Sequence, residues 1–525
     1  MVDTLILGGT LFDGSGSKPY SADIAVKDGK IAAIGPLRDT AADLVLDAAG
    51  FCVTPGFLDI HRHGDAAVFR EGYGKAELKQ GITTVLNGAC GLSLAPFGDA
   101  HRDEILHYLA PITDGIAPEI PTASMGAYLE ALRKAELPLC VGMMVGGGTL
   151  RADLCGYREA PPDDLRDLHR RLEQALSEGA RAVSLGLGYA PECFYTTQEL
   201  IDALAPLQNG NIPIAVHMRE EGDKVCEAIE EMLTVARALH CPLHISHLKA
   251  MGMRNWRKRI PQALKLMQDA RAEGVDVSCD VYLYDAGSTQ LLHLLPPDFL
   301  VGGTEAISAR LRQPEQRELL RQRIRNGRDF DNITQMIGWE NIILSTVRLP
   351  QYQALIGKTL AEAAELLRLD PVDCLCQILA DEHCAVTMID RINCEEDICT
   401  ILQDGFSSVI SDATYPTVGL PHPRVYGNCT RLFERFVKEK QVLTLPQAVR
   451  KVTALPAEAM RLTGKGVLQV GADADINIFR FEDLHERATY LDPCQESDGM
   501  DTVLVAGKPA ILHGTFTGNH NGSVL

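Results

Sequence analysis

The sequence predicts an α/β fold: a (β/α)8 TIM-like barrel, with a small discontinuous β-sandwich domain built from both termini and a helical insertion before the last barrel strand. Three observations predict it. Strand and helix signals alternate through the middle of the chain, and β-rich runs occupy both ends. About 125 residues separate the last two candidate strands of the body, too many for a plain loop. The expected division is residues 1–54 plus 462–525 for the sandwich and 55–461 for the barrel, with the insertion at about 290–400.

The chain opens on Thr4-Leu5-Ile6-Leu7, then Ala22-Asp23-Ile24-Ala25-Val26 and Lys30-Ile31-Ala32-Ala33-Ile34. Lys27-Asp28-Gly29-Lys30 between the last two has the composition of a hairpin turn. Similar runs return at 474–479 and 501–509, so the two ends are expected to pair with one another. In the body, strands are read at 83–86, 139–145, 182–185, 212–216, 243–246, 277–281 and 407–410. The extended run before His61 makes eight, the number that closes a barrel. The clearest helix is 163–177, where Leu165, Leu168, Leu172 and Leu176 recur at helical spacing and Gly179 follows the end. The long interval before 407 holds charged helical stretches at 310–328 and 360–367.

Length and composition limit the function classes. A chain of 525 residues with 46% hydrophobic and 23% charged residues is globular and large enough for one big domain and a smaller companion. A net charge of −20 argues against nucleic acid or an anionic membrane as partner, while leaving room for a small anionic substrate met by a few local cations. No apolar run approaches the roughly 20 residues that cross a bilayer. The N-terminus lacks a basic leader and reads as a first strand, and the fifteen cysteines show no framework spacing, so a reducing cytoplasm is expected. Cys374 and Cys376 read as a helix packing pair.

Chemistry concentrates at Pro55-Gly56-Phe57-Leu58-Asp59-Ile60-His61-Arg62-His63. Alternate residues of a strand face the same side, so His61 and His63 at its C-terminal end could share a metal ion. With fifteen histidines, an H-x-H arises by chance roughly 0.4 times per chain, so the pair alone is weak. Context strengthens it. Cys90, His217, His247 and Asp412 also close predicted strands, where a barrel enzyme carries its active groups. Singly, each histidine has an ordinary reading as a hydrogen-bonded core residue, and Cys90 as an inert buried thiol. Together they form a thiolate, imidazole and carboxylate set suited to zinc.

These residues, in this order, carry a resemblance. Thr54-Pro55-Gly56-Phe57-Leu58-Asp59-Ile60-His61-Arg62-His63, Cys90-Gly91, His217, His247, Ser411-Asp412 and Pro421-His422-Pro423-Arg424 resemble the N-acyl-D-amino-acid deacylases of the amidohydrolase superfamily over nearly the whole chain. The resemblance implies one tightly held zinc on Cys90, His217 and His247, and a second, weaker metal position on His61, His63 and Asp412. Related enzymes bridge two metals through a carboxylated lysine on the fourth strand; Ala182-Val183-Ser184-Leu185-Gly186 holds none, which favours a cysteine bridge. The resemblance also implies a clamp for a substrate carboxylate, with Tyr282 and Ser288 as hydrogen-bond donors and Lys249 and Arg424 as cations. Lys249 and Arg424 equally fit ordinary salt bridges.

Three positions depart from the family pattern: Gly147 where many relatives carry histidine, Leu283 where proline is common, and Ala413 where glycine usually follows the aspartate. The expected reaction is hydrolysis of the amide bond of an N-acyl-D-amino acid, with Asp412 moving the proton from water to the departing amine. A cyclic amidase or dipeptidase would share the metal site. A non-catalytic scaffold would bind no zinc.

Overall fold

The structure, a computed structural model, describes residues 1–113 and 119–525. The two ends of the chain meet in one nine-stranded sheet. Its N-terminal part comprises Val2–Leu11, Tyr20–Lys27, Lys30–Gly35, Ala42–Asp47 and Cys52–Pro55. Ile476–Phe479, Met500–Val505, Lys508–Leu512 and Thr515–Phe516 complete it. The seam is antiparallel, with Val53 opposite Ile478. Hydrogen bonds run through all nine strands without separating them into two sheets. The cause is the length of Val2–Leu11: its first half pairs with Ala42–Asp47, its second with Cys52–Pro55, and the register shifts after Ile6. Ile6, Ile24, Val26, Val53, Ile476 and Leu504 form the core beneath. Asp28 and Gly29 both take positive φ, the twist that a two-residue hairpin requires.

The body is parallel. Phe57–Asp59, Ile82–Asn87 and Cys140–Met143 form one sheet. Val145–Gly146, Val183–Gly186, Ile214–His217, Leu243–Ile245, Val277–Val281 and Ser407–Val409 form another. The single run expected at 139–145 is thus broken at Met144, which donates its backbone N–H to Asn87. At the other margin, Asp412 N–H donates to the His61 carbonyl at 3.1 Å and His63 N–H to Ala413 at 2.9 Å. The last parallel strand therefore runs out beside the first. The strands are buried almost throughout, which explains why they read as apolar runs rather than alternating ones.

Helices cover these strands. Leu165–Ser177 begins after Asp164, whose side chain accepts from the Arg166 N–H. It buries Leu168, Leu172 and Ala175 and leaves Leu165 and Leu176 half-buried at the edge of its stripe. Within the insertion, Gly287–Gln290, Thr387–Asp390 and Ile342–Thr346 make an antiparallel sheet flanked by helices. The charged helix expected at 310–328 is two: Gly303–Leu311, then Pro314–Asn326, restarted by a proline that fits only a first turn. Cys374 and Cys376 are buried in Pro371–Asp381. Among the described residues no helix is long and apolar enough to cross a membrane.

Candidate metal centre and substrate cavity

The reactive side chains stand just past the ends of the parallel strands. Cys90, His247 and Asp412 share a feature rare outside glycine: positive φ, at 53°, 36° and 53°. Such backbone is costly and is kept where a side chain must turn sharply at a functional site. His61 and His63 follow Phe57–Asp59, with Arg62 between them facing the other way. Arg62 is fully buried and paired with Glu77 at 2.9 Å and Asp59 at 3.1 Å. Asp59 also accepts the N–H of Ser411 at 3.1 Å, tying the H-x-H strand to the loop of Asp412.

His61 Nε2 lies 3.2 Å from Cys90 Sγ, and Cys90 Sγ lies 3.4 Å from His247 Nε2. His217 Nδ1 is 3.1 Å from His247 Nε2. Asp412 Oδ1 lies 3.2 Å from His63 Nε2 and 3.5 Å from His61 Nε2. Among the described residues, three groups bring their donor atoms within 4.8 Å of one another: His61, Cys90 and His247; His61, His63 and Asp412; and His217, Glu221 and His247. The expected second set therefore comes together. In the expected first set, His247 is the shared member, with His61 rather than His217 completing the tight group around Cys90.

The electrostatics fit a cation. Burial raises the Cys90 thiol, but His61, His247 and His217 around it hold it well below its ordinary value. Burial likewise opposes ionisation of Asp412, and Arg424, His63 and His61 more than reverse this. A buried thiolate, imidazoles and carboxylates at such spacing are donors that a zinc-like ion satisfies together.

Two acidic residues without a role in the sequence reading organise the donors. Glu221 sits 3.0 Å from His247 Nδ1, 2.7 Å from Lys249 Nζ and 3.6 Å from His217 Nε2. Asp280 accepts the His247 backbone N–H, lies 2.8 Å from His244 Nε2 and 3.7 Å from His61 Nδ1. Both carboxyls lie below their ordinary range because these neighbours outweigh their burial. Glu221 is itself seated by Asp331, which accepts its backbone N–H. Their sequence signal is weak: Glu221 follows the strand Ile214–His217 and Asp280 sits near the end of Val277–Val281, placements many acidic residues share.

A cavity opens beside these groups, lined among others by His63, Cys90, His217, His247 and Asp412. Lys249, Tyr282 and Ser288 also line it, and the Tyr282 hydroxyl is buried without a hydrogen-bond partner. Arg424 lies behind the wall, donating to the Ser288 carbonyl at 3.1 Å and sitting 4.9 Å from the Tyr282 ring centre. Of the departures, Gly147 is matched by Glu192: a Cβ at 147 would meet Glu192 Oε1 at 2.5 Å. Burial pushes that carboxyl up to about 8. Leu283 donates its N–H to Asn428, and Ala413 donates to Ser411 Oγ.

Parallel strands ending on a cavity lined by thiol, imidazole and carboxylate donors fit a barrel hydrolase, and the similarities of the chain place it among the amidohydrolases. Residues 333–511 match the model of the amidohydrolase family. The chain is 33% identical to a D-aminoacylase of Alcaligenes xylosoxydans xylosoxydans, covering all of this chain and 97% of that one. A solved structure of D-aminoacylase, described with a binuclear metal centre, superposes with a TM-score of 0.84 at 30% identity, covering both chains fully. An N-acyl-D-glutamate deacylase from Bordetella bronchiseptica, solved with zinc and a phosphonate mimic of the tetrahedral intermediate, superposes with a TM-score of 0.84 at 30% identity, covering all of this chain and 99% of that one. The chain belongs to the D-aminoacylase family of the amidohydrolases.

Proposed function

We propose that this chain is a zinc-dependent hydrolase that cleaves the amide bond of N-acyl-D-amino acids, releasing the free D-amino acid and a carboxylate. The observation that carries the reading is the convergence of His61, His63, Cys90, His247 and Asp412 beside one cavity. Cys90, His217 and His247 would hold one zinc tightly; His61, His63 and Asp412 would hold a second, weaker metal. When bound, zinc supplies Lewis acidity that polarises the acyl carbonyl and favours ionisation of water.

The remaining work falls to side chains. Asp412 Oδ1 takes a proton from the attacking water and returns it to the amide nitrogen as the C–N bond breaks. Lys249, Tyr282 and Ser288 hold the substrate carboxylate, Arg424 adds its charge from behind the wall, and that anchor decides which enantiomer turns its amide towards Asp412. Glu221 and Asp280 keep His247 and His61 oriented. The two parallel sheets read as one eight-stranded barrel spanning 55–461, with 1–54 and 462–525 as its supporting β domain. Hydrolysis of N-acetyl-D- but not N-acetyl-L-amino acids, lost on chelation and regained with zinc, tests this reading. Hydrolysis of hydantoins in place of linear amides would overturn it.

A further inference from the structure

Asp390 ends the strand Thr387–Asp390, which returns from the insertion to the cavity wall. Its side chain is buried, its Oδ1 has no hydrogen-bond partner, and it makes no ion pair among the described residues. Pairing with Gly287 across the antiparallel ladder fixes where it points. A Cβ on Gly287 would come within 2.9 Å of Asp390 Oδ1 and 3.2 Å of Tyr282 Oη. The missing side chain at 287 therefore leaves a dent between an unpaired carboxylate and a phenol.

The neighbouring cations are engaged in the free protein, and in the proposed complex they face the substrate's α-carboxylate. Lys249 pairs with Glu221 at 2.7 Å and Arg424 with Asp412 at 3.0 Å. Burial pushes the Asp390 carboxyl up to about 6, with Lys249 and Arg424 offsetting only part of the cost. A buried carboxylate without a partner is a liability that a ligand's cation would remove. Leu92, Ile112, Met251 and Ile392 line the same cavity and offer apolar walls to an aliphatic stem. A methylene chain tipped with positive charge satisfies both features. An acidic side chain would be repelled, and a neutral one would leave Asp390 unpaired.

We infer that Asp390 is the specificity-determining residue for the substrate side chain, selecting N-acyl-D-amino acids with a cationic side chain, D-lysine or D-arginine. The inference rests on the deacylase reading and sharpens it to a substrate class. The test compares kcat/KM of the zinc-loaded enzyme for N-acetyl-D-lysine, N-acetyl-D-norleucine and N-acetyl-D-glutamate, in the natural chain and in Asp390→Asn. N-acetyl-D-lysine should exceed N-acetyl-D-norleucine, which has the same stem without the ammonium, by about ten-fold or more, and Asp390→Asn should cut that ratio about ten-fold. A ratio at or below unity in the natural chain, or one that Asp390→Asn does not move, overturns the inference while hydrolysis of N-acetyl-D-norleucine keeps the deacylase reading. Hydrolysis of none of the three overturns both. The natural chain's panel needs no variant, so it decides even if Asp390→Asn fails to fold.

Discussion

Arg424 Nη1 lies 3.0 Å from Asp412 Oδ2, and the guanidinium is fully buried. The same side chain reaches the Ser288 carbonyl and the Tyr282 ring, so one cation touches both the proposed base and the proposed carboxylate clamp. While paired, it makes Asp412 a weak base. An anion that draws on Arg424 reduces that hold and makes Asp412 more basic, which would couple substrate binding to proton transfer.

Removing the cation breaks a buried pair. Arg424→Met is expected to destabilise the fold by about 3 to 5 kcal/mol, and to lower kcat/KM about 100-fold through loss of the anchor. Arg424→Lys restores charge without the two-pronged geometry and should recover stability more than rate. Thermal unfolding and steady-state kinetics separate the two effects; near-normal kcat/KM in Arg424→Met would exclude a part in binding.

Asp412→Asn keeps size and most packing but cannot accept a proton. It should keep the tightly held zinc, losing at most the weaker second metal, while kcat falls about 10²- to 10⁴-fold. Metal analysis alongside turnover checks this, and a rate within a few-fold of the natural enzyme would take Asp412 out of the mechanism.

Glu221 touches two candidate ligands and a cation but is not needed to complete the Cys90 group. Glu221→Gln should therefore weaken zinc about 10- to 100-fold by freeing the His247 ring, without abolishing the site. Competition with a chromogenic chelator measures this. Unchanged affinity would mean that the backbone around Asp280 suffices to hold His247.

What could be read in the sequence divides along physical lines. The run at 214–216 is legible because strands buried on both faces must be apolar, and His61 and His63 because period two puts alternate residues on one side. Glu221, Asp280 and Asp390 were not legible as organisers. Each is one of 70 acidic residues, and its role comes from partners brought near by folding: Asp280 meets a backbone N–H 33 positions earlier, and Asp390 meets the cavity only through antiparallel pairing inside the insertion. The break at Met144 was equally invisible, since a continuous apolar run gives no sign of where a neighbouring strand stops accepting hydrogen bonds.

Away from the cavity, Lys465 joins the terminal sheet to the body. Its Nζ lies 2.6 Å from Asp475 Oδ2, 3.0 Å from Asp473 Oδ2 and 3.3 Å from Cys140 Sγ on the third parallel strand. Burial works against the ammonium, yet Asp475, Cys140 and Asp473 raise Lys465 above its ordinary value. Burial opposes Asp473 too, and Lys465 and Lys30 hold it below. A raised lysine contributes stability below its unfolded pKa of about 10.4 and loses it only as pH climbs through the higher folded value. A depressed aspartate contributes above its unfolded pKa of about 3.9 and loses that as pH falls through the lower folded one. The cluster should thus hold evenly from about pH 5 to 9 and weaken in acid. Lys465→Met strands Asp475, while Asp473 keeps Lys30, and should cost about 3 to 5 kcal/mol across that range. Its deficit should shrink as pH drops through about 4, where an unpaired carboxylate takes up a proton. Denaturation midpoints of both proteins from pH 3 to 9 read the difference directly, and a deficit that stays constant to pH 3 would show that Lys465 acts by packing rather than by charge.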